Sequence, residues 1–228
     1  MPGSQPAKKA KAAPRASRNG EVSTRAKKIA RILAETYPDA RCMLDHKSPF
    51  QLLVATILAA QCTDERVNMV TPALFKRFPT PRALSEAPLE ELEGLIRSTG
   101  FFHNKAKSII GASKAIATRF PKSFPATMED LLSLPGVGRK TANVVLGTCF
   151  NVPAIIVDTH VRRVAQRLGL TESDDPDQIE GDVSALLPPA QWTAFSNDLT
   201  FHGRRCCAAR KPDHAACPVR ALCDSRDI

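Results

Sequence analysis

The stretch Leu134–Leu146 reads LPGVGRKTANVVL. A Pro-Gly-Val-Gly turn is followed by a basic pair and then by the apolar run Ala142, Val144, Val145 and Leu146, which predicts a tight bend feeding a helix. Gly136 and Gly138 are expected to take positive φ and to let a second backbone come close. The amides that open the helix lack intrahelical acceptors and sit at the positive end of its dipole. Gly136, Val137, Gly138, Arg139 and Thr141 therefore form a candidate grip for a phosphate oxygen. Such a grip is indifferent to base sequence, and a plain helix–helix connection is the alternative.

Lys140 sits where a protonated lysine is disfavoured by the helix dipole. Partial desolvation there would lower its pKa and free a neutral amine for nucleophilic attack. An ordinary solvated lysine on a basic face is the other reading. Downstream, in IIVDTHVRRVAQRL, Asp158 stands where an apolar run ends and a helix begins. Asp is a favoured N-cap. A fixed carboxylate beside a sugar would also stabilise positive charge building at C1′ as a base departs. One residue can do both.

The bulk properties are compatible with this chemistry. The chain has 228 residues, 43% of them hydrophobic, enough for one large domain or two small ones. Scarce aromatics and short β-branched runs lean toward an all-α fold. A net charge of +9 favours a polyanionic partner. Much of the excess lies in the first 28 residues, where eight Lys and Arg face one acid, Glu21. Residues 1–20 are read as a basic, disordered leader. No apolar h-region follows it, and the most apolar run, Leu52 to Ala60, is too short to span a bilayer, so a cytoplasmic protein is expected, nucleoid-associated if bacterial.

Ten helical segments follow from Thr24 on, with Ser48 as N-cap and Pro49 at the first position of the most apolar one. PAIIV, Pro153 to Val157, reads as a buried connector rather than a strand. Four of the seven cysteines fall in the last 23 residues, which favours metal ligation over a disulfide framework. Cys207, Cys217 and Cys223 with His214 form the candidate ligand set for an iron-sulfur cluster or a structural zinc.

Taken together, LPGVGRKTANVVL, VDTH, AAQCTDERVN, FHGRRC and the terminal cysteine loop resemble the endonuclease III family, bifunctional DNA glycosylases of the helix-hairpin-helix superfamily. The resemblance runs from about Thr24 to the C-terminus. It implies two helical domains flanking a DNA-binding cleft: a six-helix barrel at 42–152, and a cluster-bearing domain made of 21–41 and 153–228. It also implies that an oxidised pyrimidine is flipped out of duplex DNA. Lys140 would be the nucleophile that forms a Schiff base with the opened sugar before β-elimination, and Asp158 its carboxylate partner. Gln61 would enter the gap left by the flipped nucleotide. Phe101 would wedge into the stack where the family commonly has leucine. The partner is double-stranded DNA with damaged bases or abasic sites, bound by a monomer.

The family's cluster pattern is C-x6-C-x2-C-x5-C, and His214 stands where its second cysteine belongs. A [4Fe-4S] cluster with His214 replacing one cysteine is expected, with zinc, recruitment of Cys206 or loss of the metal as alternatives. Alternative functions are a non-catalytic helix-hairpin-helix module with a structural zinc, or a glycosylase for 8-oxoguanine or mismatched adenine. The adenine branch usually lacks a nucleophile at the position of Lys140.

Overall fold

The structure, a computed structural model, describes residues 15–226. Eleven α-helices follow one another: α1 (Arg15–Thr36), α2 (Pro49–Leu58), α3 (Asp64–Arg77), α4 (Pro81–Ser85), α5 (Leu89–Ile96), α6 (Phe102–Arg119), α7 (Met128–Leu132), α8 (Arg139–Cys149), α9 (Thr159–Arg167), α10 (Pro176–Ser184) and α11 (Trp192–Arg205). Short 3-10 turns occupy Arg97–Thr99, Pro189–Gln191 and Arg220–Leu222. Among the described residues there is no strand, as expected of an all-α chain, and no helix is long and apolar enough to cross a membrane.

The leader assigned to residues 1–20 lies outside the described residues as far as position 14. Its last six residues are not leader but the opening of α1, which starts at Arg15 rather than near Thr24. Arg15, Ala16 and Arg18 are good helix formers, and the helix continues through the breaker pair Asn19-Gly20 to Thr36. Elsewhere the local signals hold. Gln51 N donates to Ser48 Oγ at 3.3 Å, and Pro49 opens α2. That helix is buried almost all round, each of its large apolar side chains contributing about 1.5–3 kcal/mol of transfer free energy.

The buried apolar side chains form two clusters. The first runs from Leu44 to Leu146 and is built on α2 through α8. The second joins α1 to Ile155, Val157 and α9 to α11, and takes in Val219. The connector 151–157 carries the chain from one to the other without regular structure, with Ile155 fully buried. The end of α8 and the start of α9 flank this connector in the chain, and Asn143 of α8 donates to Ile155 O within it.

Candidate active site

The turn between α7 and α8 is as tight as its glycines imply, but they differ. Gly136 has φ +74, and a Cβ there would come within 2.4 Å of Ser108 Cβ on α6, so both conformation and packing demand glycine. Gly138 has φ −98, an ordinary extended value, and a Cβ there would meet nothing. The expectation of positive φ at Gly138 is therefore corrected: it is the N-cap of α8, where extended backbone is the rule. It supplies no side-chain acceptor, and the first amides of α8, unlike those of α2, α3, α9 and α10, are left without a side-chain cap.

Two further expectations for this turn change. Val137 turns its side chain into the first core cluster, leaving only its backbone for an outside ligand. Arg139, though half exposed, is held by an acid: Nε and Nη2 donate to Glu180 at 2.7 and 3.0 Å, and Asn143 Nδ2 donates to the same carboxylate at 3.0 Å. The pairing raises the Arg139 pKa and ties α8 to α10. Thr141, at the third position of α8, is half-buried.

Lys140 and Asp158 line one cavity of about 170 Å³. Asp158 caps α9, with Oδ1 accepting from Val161 N at 2.7 Å, while Oδ2 lies 3.4 Å from Thr200 Oγ1 of α11, whose one hydrogen is shared with Ser196 O at 3.0 Å. Lys140 is exposed at the mouth, which corrects the expectation of a partly desolvated amine in the free protein. The second helical position faces outward, and any shielding of Lys140 must come from a ligand. Walls of the cavity that sequence reasoning left unassigned include Arg41, Asp64, Asn197 and Arg204. Arg204 Nη2 donates to Asp64 Oδ2 at 2.6 Å and so links α11 to α3. Of these, Asp64 and Arg204 carried a signal, as parts of AAQCTDERVN and FHGRRC.

Gln61 and Phe101 lie in turns on the first cluster's side. Both hold left-handed backbone, φ +53 and +48, and both are exposed, Phe101 at 64%. Phe102 instead packs on the first cluster.

At the C-terminal end, Cys207, His214, Cys217 and Cys223 line a common cavity with His202 and Cys206. Two arginines of α9 hold the loop: Arg163 donates to Cys207 O, and Arg167 donates to Cys207 Sγ at 3.3 Å and to Ala208 O at 2.8 Å. The one set of donor atoms lying within 4.8 Å of one another, among the described residues, belongs to His202, Cys206 and Cys217. Burial drives the His202 pKa down to about 4 and the Cys206 pKa up to about 12, so that these two are a neutral imidazole and a thiol. The Cys206 thiol donates to Asp213 O, and His202 Nδ1 meets the Tyr37 hydroxyl at 3.0 Å. His214 Nε2 is buried and has no hydrogen-bond partner. An orphaned ring nitrogen in a cavity shared with thiols is chemistry that fits a metal centre, although Cys207, His214 and Cys223 are not among the donors lying within 4.8 Å of one another.

Comparison with known proteins places the chain in a family. The family model for the HhH-GPD superfamily base excision DNA repair protein matches residues 54–189. The chain is 55% identical to the endonuclease III of Synechocystis sp. over 88% of its length and 92% of that protein. It is 44% identical to that of Bacillus subtilis over 84% and 88%. A trapped endonuclease III–DNA covalent intermediate superposes with a TM-score of 0.86 at 41% identity, covering 90% of this chain and 96% of that one. The chain thus belongs to the HhH-GPD superfamily of base excision DNA repair proteins and, within it, to the endonuclease III family of DNA glycosylases.

Proposed function

We propose that this glycosylase excises oxidised pyrimidines from duplex DNA and then nicks the strand as an abasic-site lyase, with Lys140 as nucleophile. The observation that carries the reading is the shared cavity of Lys140 and Asp158 beside a hairpin helix without a side-chain cap. The solved neighbour described as a trapped covalent intermediate with DNA supports a covalent route.

The uncapped amides of α8, with the turn Gly136–Gly138, hold a phosphate and bring the flipped nucleotide's C1′ to Lys140. DNA covers the exposed amine and strips its water, which favours the neutral form. The amine nitrogen forms a bond to C1′ while the bond to the base breaks and its electron pair leaves with the base. Asp158, fixed as the cap of α9, stabilises the cationic sugar in between. Loss of the amine proton and ring opening give the imine. Removal of a C2′ proton then expels the 3′ phosphate. Gln61 fills the vacated stack, and Phe101 wedges beside it.

A [4Fe-4S] cluster held by Cys207, His214, Cys217 and Cys223 is the proposed cofactor; when bound it would hold rigid the loop whose own Arg210 and Lys211 present positive charge, and no redox step is required. Two units, 42–152 and 21–41 with 153–228, a monomeric state and a cytoplasmic location complete the proposal.

The deciding experiment is borohydride trapping on abasic-site duplex. Wild type is expected to give a covalent protein–DNA adduct, and Lys140→Ala to lose it while keeping salt-sensitive binding. A wild type that binds but never traps refutes the lyase reading and leaves a non-catalytic clamp.

A further inference from the structure

Lys105 is the one lysine among the described residues that is buried, at 5% exposure. It lies in the first turns of α6, at the positive end of the helix, where a cation gains nothing from the dipole. No carboxylate pairs with it. Its ammonium instead donates to two backbone carbonyls, Leu58 O and Thr99 O, each at 2.8 Å. Burial lowers its pKa. A buried cation satisfied only by carbonyls is a costly choice where a leucine would pack, so stability alone does not account for it.

Its acceptors say what it does. Leu58 is the last residue of α2, and its carbonyl is one of those a helix end leaves without an amide. Thr99 ends the 3-10 turn Arg97–Thr99. Three residues beyond Leu58 stands Gln61, and two beyond Thr99 stands Phe101. Four non-glycine residues have positive φ among the described residues, and these are two of them. Left-handed backbone at such residues is strained and persists only where neighbours enforce it. One ammonium group thus fastens the starts of both strained turns.

We infer that Lys105 is a positioning residue that holds Gln61 and Phe101 at a fixed separation, so that both enter the DNA stack as one unit. This rests on the reading of Gln61 and Phe101 as gap-filler and wedge. It assigns Lys105 no contact with DNA and no part in bond making.

The test compares wild type with Lys105→Met and Lys105→Gln on two substrates, a duplex with one oxidised pyrimidine and a single strand with an abasic site, in which no stack needs opening. The duplex carries 2-aminopurine opposite the lesion to report unstacking of the partner base. Both variants are expected to melt as folded proteins and to trap single-stranded abasic DNA like wild type. On the duplex they should lose base excision by about tenfold to a hundredfold and fail to raise the 2-aminopurine signal. Lys105→Met should add little in a Gln61→Ala, Phe101→Ala background. Equal loss on both substrates, an unchanged duplex rate, or variants that do not fold would each overturn the inference in favour of a structural lysine. If wild type itself never traps or never raises the signal, it is the underlying reading that is lost.

Discussion

Lys140 and Asp158 stand at the starts of α8 and α9 and face one cavity, Lys140 as the second residue of its helix and Asp158 as the cap of its own. The cation is therefore free of intrahelical commitments, whereas the carboxylate carries a structural duty as well.

Those two duties of Asp158 can be separated. Asn also caps helices, so Asp158→Asn should melt near wild type yet lose about 10²–10³ in single-turnover base release. Asp158→Ala should lose the same rate and a further ~1 kcal/mol of stability. An asparagine variant with wild-type rates would reduce Asp158 to a cap.

The two turn glycines should respond oppositely. Gly136→Ala meets both positive φ and Ser108, and should destabilise by about 2 kcal/mol or more in urea titration. Gly138→Ala meets neither obstacle, so its melting should shift little, while its affinity for duplex DNA falls because the methyl group stands where the phosphate approaches. Undiminished affinity would remove Gly138 from the phosphate grip.

Arg139 is held by Glu180, and its removal should not reduce the slope of log affinity against log salt, which drops by about one for each lost phosphate contact. The pair is half exposed on the arginine side, so a double-mutant cycle in thermal denaturation should give about 0.5–1 kcal/mol of coupling. A slope reduced by one would show that Arg139 leaves Glu180 for DNA.

Asp198, on α11, is buried beside a groove lined by Lys27 and Arg31, and burial raises its pKa to about 6. A carboxyl with a raised folded pKa stabilises most at low pH, and that contribution disappears as pH rises through about 6. Asp198→Asn should therefore gain about 1–2 kcal/mol at pH 7.5, an amount reduced for water reaching the carboxyl through the groove, and nothing near pH 3.5. A gain that is equal at both pH values would exclude this cause.

His214→Ala should lower metal bound per chain and the melting temperature, and His214→Cys should keep both. Should a redox-active iron-sulfur centre be present, the cysteine variant should have the lower reduction potential, since imidazole ligation raises it. Wild-type metal content in His214→Ala would point to Cys206 and His202 as the donors.

Much of this molecule could be read locally, because caps, proline positions and 3.6-residue periodicity act within one or two turns. Ser48 and Asp158 show this. The helix α4 was missed since five residues with Leu84 alone buried leave no period to detect. What escaped the sequence is mostly long-range. The partner that occupies Arg139 lies 41 residues on, and one acceptor of Lys105 is a carbonyl 47 residues back, which no side-chain pattern reveals. Lys140 and Asp158 could be named from their motifs, but only folding shows the amine exposed and the carboxylate fixed.

Between Arg204 and Asp64, the chamber has a wall made of a charge pair rather than packed hydrocarbon. Neither residue belongs to a buried apolar cluster, so a shorter base at 204 should widen the chamber without opening a void in either interior.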